Sequence, residues 1–574
     1  MYIEVVPNRS SPPCVLLREA WREGKKVKKR TLANLSSLPR EQVELLRRVL
    51  KGEALVPAEE AFEILRARPH GHVAAVVGVL RKLGLPGLLS TRSHRKRQLA
   101  LAMICARVME PCSKLATARA LDRETLASSL GEAVGVERAG ADDLYEALDW
   151  LGRGQGRIEK KLARRHLAEG QLVLWDVSPV PFESHTCGLA AYGRPRGEKK
   201  SRLQLLFGLL TTPEGVPVAV EVFPGNTGDP STVAPALDRL QARFGLKRVV
   251  VVGDRGMLTQ ARITEELLPR GVDWITSLRA PTIRKLVQEG PLQLSLFDRQ
   301  DLAEIASPDF PGERLIACYN PLLANDRARK REELLQATEE KLEQVARATR
   351  RAQRPLWGQD KIGIRLGKVL GRSKVAKHFR YEITEQGFSF GRDKHSIAAE
   401  AALDGIYVLR TSLSREELDA EEVVRAYKRL SRLEQAFRIS KDFALEVEPI
   451  YHRREDRVRA HVFLCMLAFY VRQHMEQALA PILFTDHDPQ GAEARRESVV
   501  APAVRSEAAV QKVRRKRTAD GLPVHSFRSL LRDLATLTKN TVRMGETPVR
   551  FEQYARPTQL QERAFGLLEV SYRL

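Results

Sequence analysis

Residues 426–441, AYKRLSRLEQAFRISK, have the spacing of an amphipathic helix with one residue out of place. At about 100° per residue and with Tyr427 at zero, Val423, Leu430 and Phe437 fall within roughly 80° on one side and form an apolar stripe. Glu434 lies at about −20°, inside that stripe, and Lys441 at about −40°. An unpaired charge on a buried face costs several kcal/mol. The spacing therefore predicts one continuous helix whose core-facing side carries a carboxylate. Either something positive from elsewhere in the molecule meets that carboxylate, or the helix buries a different face.

The chain has 574 residues, with 95 Lys and Arg against 72 Asp and Glu, a formal charge of +23. Its 43% apolar content excludes a disordered chain. The length suits about three or four domains. Cations cluster in GKKVKKR (24–30), HRKR (94–97), RPRGEKKSR (194–202) and VRRKR (513–517). Such clustering points to a polyanion, nucleic acid first, with a merely solvated basic surface as the alternative. The six cysteines, Cys14, Cys105, Cys112, Cys187, Cys318 and Cys465, form no Cys-x2-Cys or Cys/His cluster. A disulfide framework and zinc fingers are thus not expected. The start, MYIEVVPNRS, lacks the apolar segment of a signal peptide, and HVFLCMLAFYV (461–471) is too short to span a bilayer. A cytoplasmic protein without membrane contact is expected.

Weak alternation over residues 1–35 predicts a hairpin module, with its linker ending near 60. From about 41 to 168 the texture is helical, and 61–168 is the candidate DNA-binding region, or else a plain helical bundle. From 169 to 284 the chain reads β-β-β-α-β-α-β. QLVLWDVS (171–178) is a buried strand, and LQLLFGLLT (203–211) and VPVAVEVF (216–223) form a hairpin. Residues 229–245 are a helix capped by Asp229 or Ser231. The four valines of KRVVVVGDRG (247–256) mark a strand covered on both faces, and VDWITSL (272–278) is another strand. An insertion is expected over 285–400, with a long charged helix at 325–354 and strand-like pieces at 379–391. The α/β unit resumes over 401–475, and 476–574 is expected to be helical and loop-rich.

Asp176 closes LVLW and Asp254 closes VVVVG. Carboxyl ends of central strands are where α/β sheets build sites, although a lone Asp there is also an ordinary turn former. Gly253 and Gly256 let the backbone turn tightly around Asp254. If the helix carrying Glu434 packs near those strand ends, three carboxylates meet. Clustered carboxylates repel unless cations bind, and an all-oxygen set favours Mg²⁺ or Mn²⁺. A basic protein with two such ions suits a phosphodiester substrate. Trp274 reads as core, as do His452 and His461, which have no Cys/His partner for zinc.

At these residues the chain resembles the DDE transposases of insertion sequences. In that group a ribonuclease-H-like core carries its last acid in a Tyr-x2-Arg-x3-Glu-x6-Lys signature. Tyr427, Glu434 and Lys441 match, whereas Leu430 occupies the Arg position with Arg429 beside it. FPGNTGD (223–229), GDRGM (253–257) and HRREDRVRAHVFLCMLAFYV (452–471) are further similarities. The resemblance implies a ribonuclease-H-like mixed α/β sheet flanked by helices, interrupted by the insertion, between an N-terminal hairpin and helical region and a C-terminal helical region. It implies Asp176, Asp254 and Glu434 as catalytic residues and ligands of two Mg²⁺ ions, with Mn²⁺ as a substitute. It implies DNA contacts from Tyr427, Arg429, Arg438, Lys441, Arg255 and Asn226. For Lys441 a snorkelling surface residue is the alternative, and Asp229 either edges the site or caps its helix. The implied partners are double-stranded DNA, as terminal inverted repeats and as target, and a second copy in a synaptic homodimer. The implied setting is the prokaryotic cytoplasm, at the nucleoid. The implied activity is hydrolysis at the element ends followed by joining of the 3′-hydroxyls to target DNA. A nuclease without strand transfer and a domesticated DNA-binding protein are the alternatives.

Overall fold

The computed structural model describes every residue except 10, 54–60, 126, 184–185, 194–200, 299, 442–446, 448–449 and 546. Most of the basic run 194–202 therefore lies outside the described residues. The chain divides into two compact units, Met1–Arg68 with Lys539–Ala555, and Pro69–Thr538 with Arg556–Leu574.

In the first unit, β1 (Tyr2–Val6), β2 (Cys14–Glu23) and β3 (Lys26–Asn34) form an antiparallel sheet in that order. Gly24, at φ +61°, makes the tight turn of the β2–β3 hairpin, a conformation that side chains resist. The helix Arg40–Leu50 follows. The expected all-helical texture from 41 to 168 is interrupted by β4 (Phe62–Pro69). This strand pairs with β16 (Thr538–Met544), which in turn pairs with β17 (Arg550–Tyr554). The C-terminal stretch thus holds two strands among its helices. Local periodicity carries no trace of a partner so far away in sequence.

In the second unit, helices including Arg95–Met109 and Ala141–Arg153 pack on the apolar helix Glu455–Ala478. A nine-stranded sheet lies beside them. Its strands are β5 (Leu172–Pro181), β6 (Ala191–Gly193), β7 (Arg202–Thr211), β8 (Pro217–Pro224), β9 (Val250–Val252), β10 (Asp273–Ser277), β11 (Leu302–Ile305), β12 (Arg314–Tyr319) and β15 (Ile406–Thr411). Their order is β11-β12-β15-β10-β9-β5-β7-β6, with β8 also on β7. β5, β9 and β10 run parallel at the centre, β7 pairs antiparallel with β5, and β8 pairs antiparallel with β7. The order β8-β7-β5-β9-β10 is that of a ribonuclease-H-like core. Valines 249–252 are all buried, as a central parallel strand requires. Trp274 is buried core.

Within the stretch 285–400, β11 and β12 extend this sheet, and residues from Leu335 to Phe388 gather a core of their own. The latter comprises the helix Pro321–Thr349, whose first turn is capped by the Asn320 side chain, the helix Gln359–Leu370 and the hairpin of β13 (Phe379–Ile383) with β14 (Phe388–Arg392). The helix expected over 229–245 is a 3₁₀ turn, an α turn and a π turn in succession, with Gly228 at its N-cap position and the Ser231 hydroxyl donating to the Gly228 carbonyl. Among the described residues no helix is long and apolar enough to cross a membrane.

Buried imidazoles make the fold sensitive to acid. Lys114 and His461 are both nearly inaccessible, with Lys114 Nζ 3.2 Å from His461 Nδ1, and the His452 ring lies 5.0 Å from that of His461. Burial, reinforced by the Lys114 charge, pushes His452 down to about 3; burial first, and then a neighbouring His70, pushes His72 down to about 4. The unfolded chain binds protons at these sites near pH 6.5 and the folded chain does not, so their contribution is complete above that pH and lost as pH falls towards 4. Thermal unfolding midpoints are expected to drop steadily from pH 7 to pH 4.5. A flat profile across that window would mean that these histidines are protonated in the fold.

Candidate active site

Parallel pairing sets Leu174 opposite Val252, and Val252 opposite Ile275. Two residues beyond each of these lie Asp176, Asp254 and Ser277. Asp176 and Ser277 continue the faces of Leu174 and Ile275 on their own strands, whereas Asp254 stands in the loop just past the end of β9. β9 ends at Val252, and Gly253 leads the chain out of the sheet. β5 meanwhile continues to Pro181 against β7. The sheet opens at that fork, which is where the two aspartates stand.

Asp176 is 8% exposed, and its Oδ1 accepts the Val177 N–H at 2.8 Å. Asp254 is partly exposed. Its Oδ1 accepts N–H groups from Gly256 at 3.0 Å and Met257 at 2.9 Å, holding the loop as an Asx turn. A Cβ on Gly256 would sit 3.3 Å from Asp254 Oδ1, and one on Gly253 3.0 Å from the Leu258 side chain. GDRGM thus places a carboxylate at a strand end under a tight loop.

The stretch 426–441 is two helices, Ala420–Lys428 and Leu430–Lys441, broken at Arg429. The first buries Val423, Val424 and Ala426, and is capped by Asp419, which accepts the Glu422 N–H at 2.8 Å. The second buries Leu433, Ala436 and Phe437, with Phe437 edge-on to Phe207 of β7 at 5.1 Å. Glu434 is exposed. The break rotates the buried face, so Glu434 is not on a core-facing stripe and needs no buried cation. This corrects the expectation of a single helix.

Tyr427 reports where these groups meet. Its hydroxyl lies 2.9 Å from Ser277 Oγ. Burial raises its ionisation above the usual phenol range, the Ser277 bond opposes that, and the charges of Asp254 and Glu434 raise it further while Arg255 lowers it. Asp254, Glu434 and Arg255 therefore all stand within electrostatic reach of one phenol. Lys441 Nζ donates to the Pro179 carbonyl of β5, tying the end of the second helix to the strand that bears Asp176. Arg255 and Arg438 are exposed, and Arg429 is half-buried. Asn226 is exposed on the loop after β8, which register places level with Val180, two strands from Asp176.

Among the described residues no three His, Cys, Asp or Glu side chains converge closely enough to form a metal cluster. Asp176 and Asp254 stand at adjacent strand ends, and Glu434 stands on an exposed helix face. An all-carboxylate set at an open strand end fits a hard divalent cation. Two residues escaped the reading of the sequence. Ser277 could have been found by the rule that found the aspartates, since it ends the third parallel strand. Lys428 Nζ donates to the Val499 and Ala501 carbonyls, each at 2.8 Å, and burial lowers it to about 8. No local signal marks such an anchor.

A ribonuclease-H-like sheet with acids at its central strand ends defines a class of nucleic-acid-processing enzymes. The family model described as a transposase DDE domain matches residues 168–471, just over half of the chain, so the protein belongs to the DDE transposases. Residues 3–60 match the N-terminal domain of the IS1634 family transposases, and the chain is accordingly an insertion-sequence transposase. No curated protein matches it. A solved structure, the cryo-EM structure of the piggyBac transposase synaptic complex with hairpin DNA, matches at 8% identity and a TM-score of 0.34, covering 81% of this chain and 76% of that one.

Proposed function

We propose that this transposase binds the ends of its element, cuts them by hydrolysis and joins the freed 3′-hydroxyls to target DNA, with Asp176, Asp254 and Glu434 as the catalytic acids. The observation that carries the reading is the placement of two aspartates just past the last paired residues, Leu174 and Val252, of adjacent parallel strands, where the sheet opens. Asp176 and Asp254 would hold Mg²⁺ or Mn²⁺, two ions in all, with Glu434 completing the set. When bound, such ions acidify the attacking water and offset charge developing on the phosphate.

The rest falls to side chains of the chain. Tyr427, kept protonated by burial and neighbouring carboxylates, presents a neutral hydroxyl beside the site. Arg255, Arg429 and Arg438 contact phosphates, and Asn226 contacts DNA at the edge of the cleft. Lys441 contacts the DNA near the scissile phosphate, its ammonium placed by the Pro179 carbonyl. In the first step a P–O3′ bond breaks, leaving a 3′-hydroxyl and a 5′-phosphate. In the second, that hydroxyl attacks a target phosphodiester and one target 3′-hydroxyl leaves, so the number of phosphodiester bonds is conserved. Joining two ends calls for a synaptic homodimer, working in the cytoplasm at the nucleoid.

The test uses purified full-length protein, labelled duplex carrying the DNA that flanks its gene, and Mg²⁺ or Mn²⁺, with Glu434→Gln in parallel. Nicked and then joined products are expected from the parent and neither from the variant. Nicking without joining would make it a hydrolytic nuclease. A variant that cuts as well as the parent would remove Glu434 from the site.

A further inference from the structure

Every residue from Ala20 to Asn34 is exposed, so the β2–β3 ribbon has no buried face beyond its base. A ribbon that buries nothing contributes little to a core, and this one carries six cations, Arg22, Lys25, Lys26, Lys28, Lys29 and Arg30, against the single carboxylate Glu23. Three of the cations are engaged: Lys28 with Glu23, Arg30 with Glu19 at 3.0 Å, and Lys29 with Glu4 at 3.5 Å. Arg22, Lys25 and Lys26 have no ion-pair partner among the described residues. Cross-strand register puts Trp21 opposite Lys28 and Glu23 opposite Lys26. Trp21, 43% exposed, therefore shares a face with Lys26, Lys28 and Arg30.

We propose that this ribbon is a DNA-binding arm that lies in the major groove of duplex DNA, its cations on the flanking phosphates and its Trp21 face towards the groove. The inference rests on the reading of the protein as a DNA-joining enzyme. The physical fit is direct. A two-stranded ribbon matches the roughly 12 Å width of that groove. Cations with no internal partner give up no ion pair on meeting a phosphate, and the indole offers apolar contact with base edges. The apolar residues Trp21, Val27 and Leu32 also suit a protein partner, and the excess of positive charge favours DNA over a second copy of this equally basic chain.

The test measures binding of the full-length chain to duplex DNA from the flank of its gene over a range of salt. Arg22→Gln, Lys25→Gln and Lys26→Gln are combined in one variant, which breaks no ion pair of the fold. Affinity near 0.1 M salt is expected to fall by about 10-fold or more. The plot of log K against log salt should flatten by about 2 to 3, near 0.9 for each phosphate that is no longer neutralised. Independently of any substitution, hydrogen exchange over residues 20–34 of the parent should slow when DNA is added. Unchanged slope and unchanged exchange overturn the arm while leaving transposition intact. A change in sedimentation without a change in slope makes the ribbon an interface between copies and overturns it too. If the parent binds no DNA at any salt, the arm and the transposition reading fall together.

Discussion

Asp254→Asn is expected to lower strand cleavage by about 10³-fold or more, about 4 kcal/mol at the barrier, with DNA affinity little changed. Asparagine keeps the oxygen that receives the Gly256 and Met257 N–H groups, so the loop GDRGM should hold its shape. What it loses is the charge. Without that charge the site has one fixed carboxylate on a neighbouring strand instead of two, and a hard divalent cation loses much of its attraction. Asp176→Asn should behave alike, since Asp176 and Asp254 each follow by two residues the paired positions Leu174 and Val252 of adjacent parallel strands. The measurement is single-turnover cleavage with saturating protein, next to a binding curve. Tenfold loss or less would reduce Asp254 to the turn former that its hydrogen bonds also allow.

The second large effect is on stability. Glu159 is completely buried, accepting from the Val220 N–H at 3.1 Å, Gln155 Nε2 at 2.8 Å and Arg243 Nη1 at 3.2 Å. Arg239 Nη1 lies 3.3 Å from Glu159 Oε2 and also donates to the Val220 carbonyl at 2.8 Å. Burial pushes the Glu159 carboxyl up, and the Arg239 guanidinium opposes that. Arg239→Met should destabilise the protein by up to about 3 to 5 kcal/mol, because the buried Glu159 charge keeps only the part-exposed Arg243 guanidinium as its counter-charge. Adding Glu159→Gln should recover part of that loss, since the amide oxygen can still take the Val220 N–H without carrying a charge. Urea unfolding of the two single variants and the double variant measures this. A single-variant cost below about 1 kcal/mol would mean that water reaches Glu159 once the guanidinium is gone.

Much of the catalytic core was legible locally. The valine run before Asp254 announced a doubly covered strand, and the Pro-Glu-Gly turn announced the β7–β8 hairpin, because strand burial and tight turns leave their marks within a few residues. Both aspartates were read as strand-end residues, and the strand ends are where they stand. Glu434 stands out in the sequence through its spacing from Tyr427 and Lys441, although the break in the helix takes it off the buried stripe that a single helix would give it. The two halves answer to different partners. Tyr427 meets Ser277 and Lys428 meets carbonyls of residues 499–501, whereas Arg432 donates to the Pro213 carbonyl and Lys441 to that of Pro179. A 100° wheel assumes one axis and cannot register a break that is imposed from outside the helix.

Local causes suffice for the buried parallel strands, the hairpins, the acids Asp176 and Asp254 at the ends of their strands, and the charge that calls for a polyanion. Tertiary packing was needed to set β5 beside β9 so that Asp176 and Asp254 flank one fork in the sheet, to pair β4 with β16 across nearly the whole chain, and to turn Glu434 to solvent. Register between distant strands and the rotation of a broken helix depend on which edges and carbonyls remain open once everything else has packed, and that information is spread over the whole molecule.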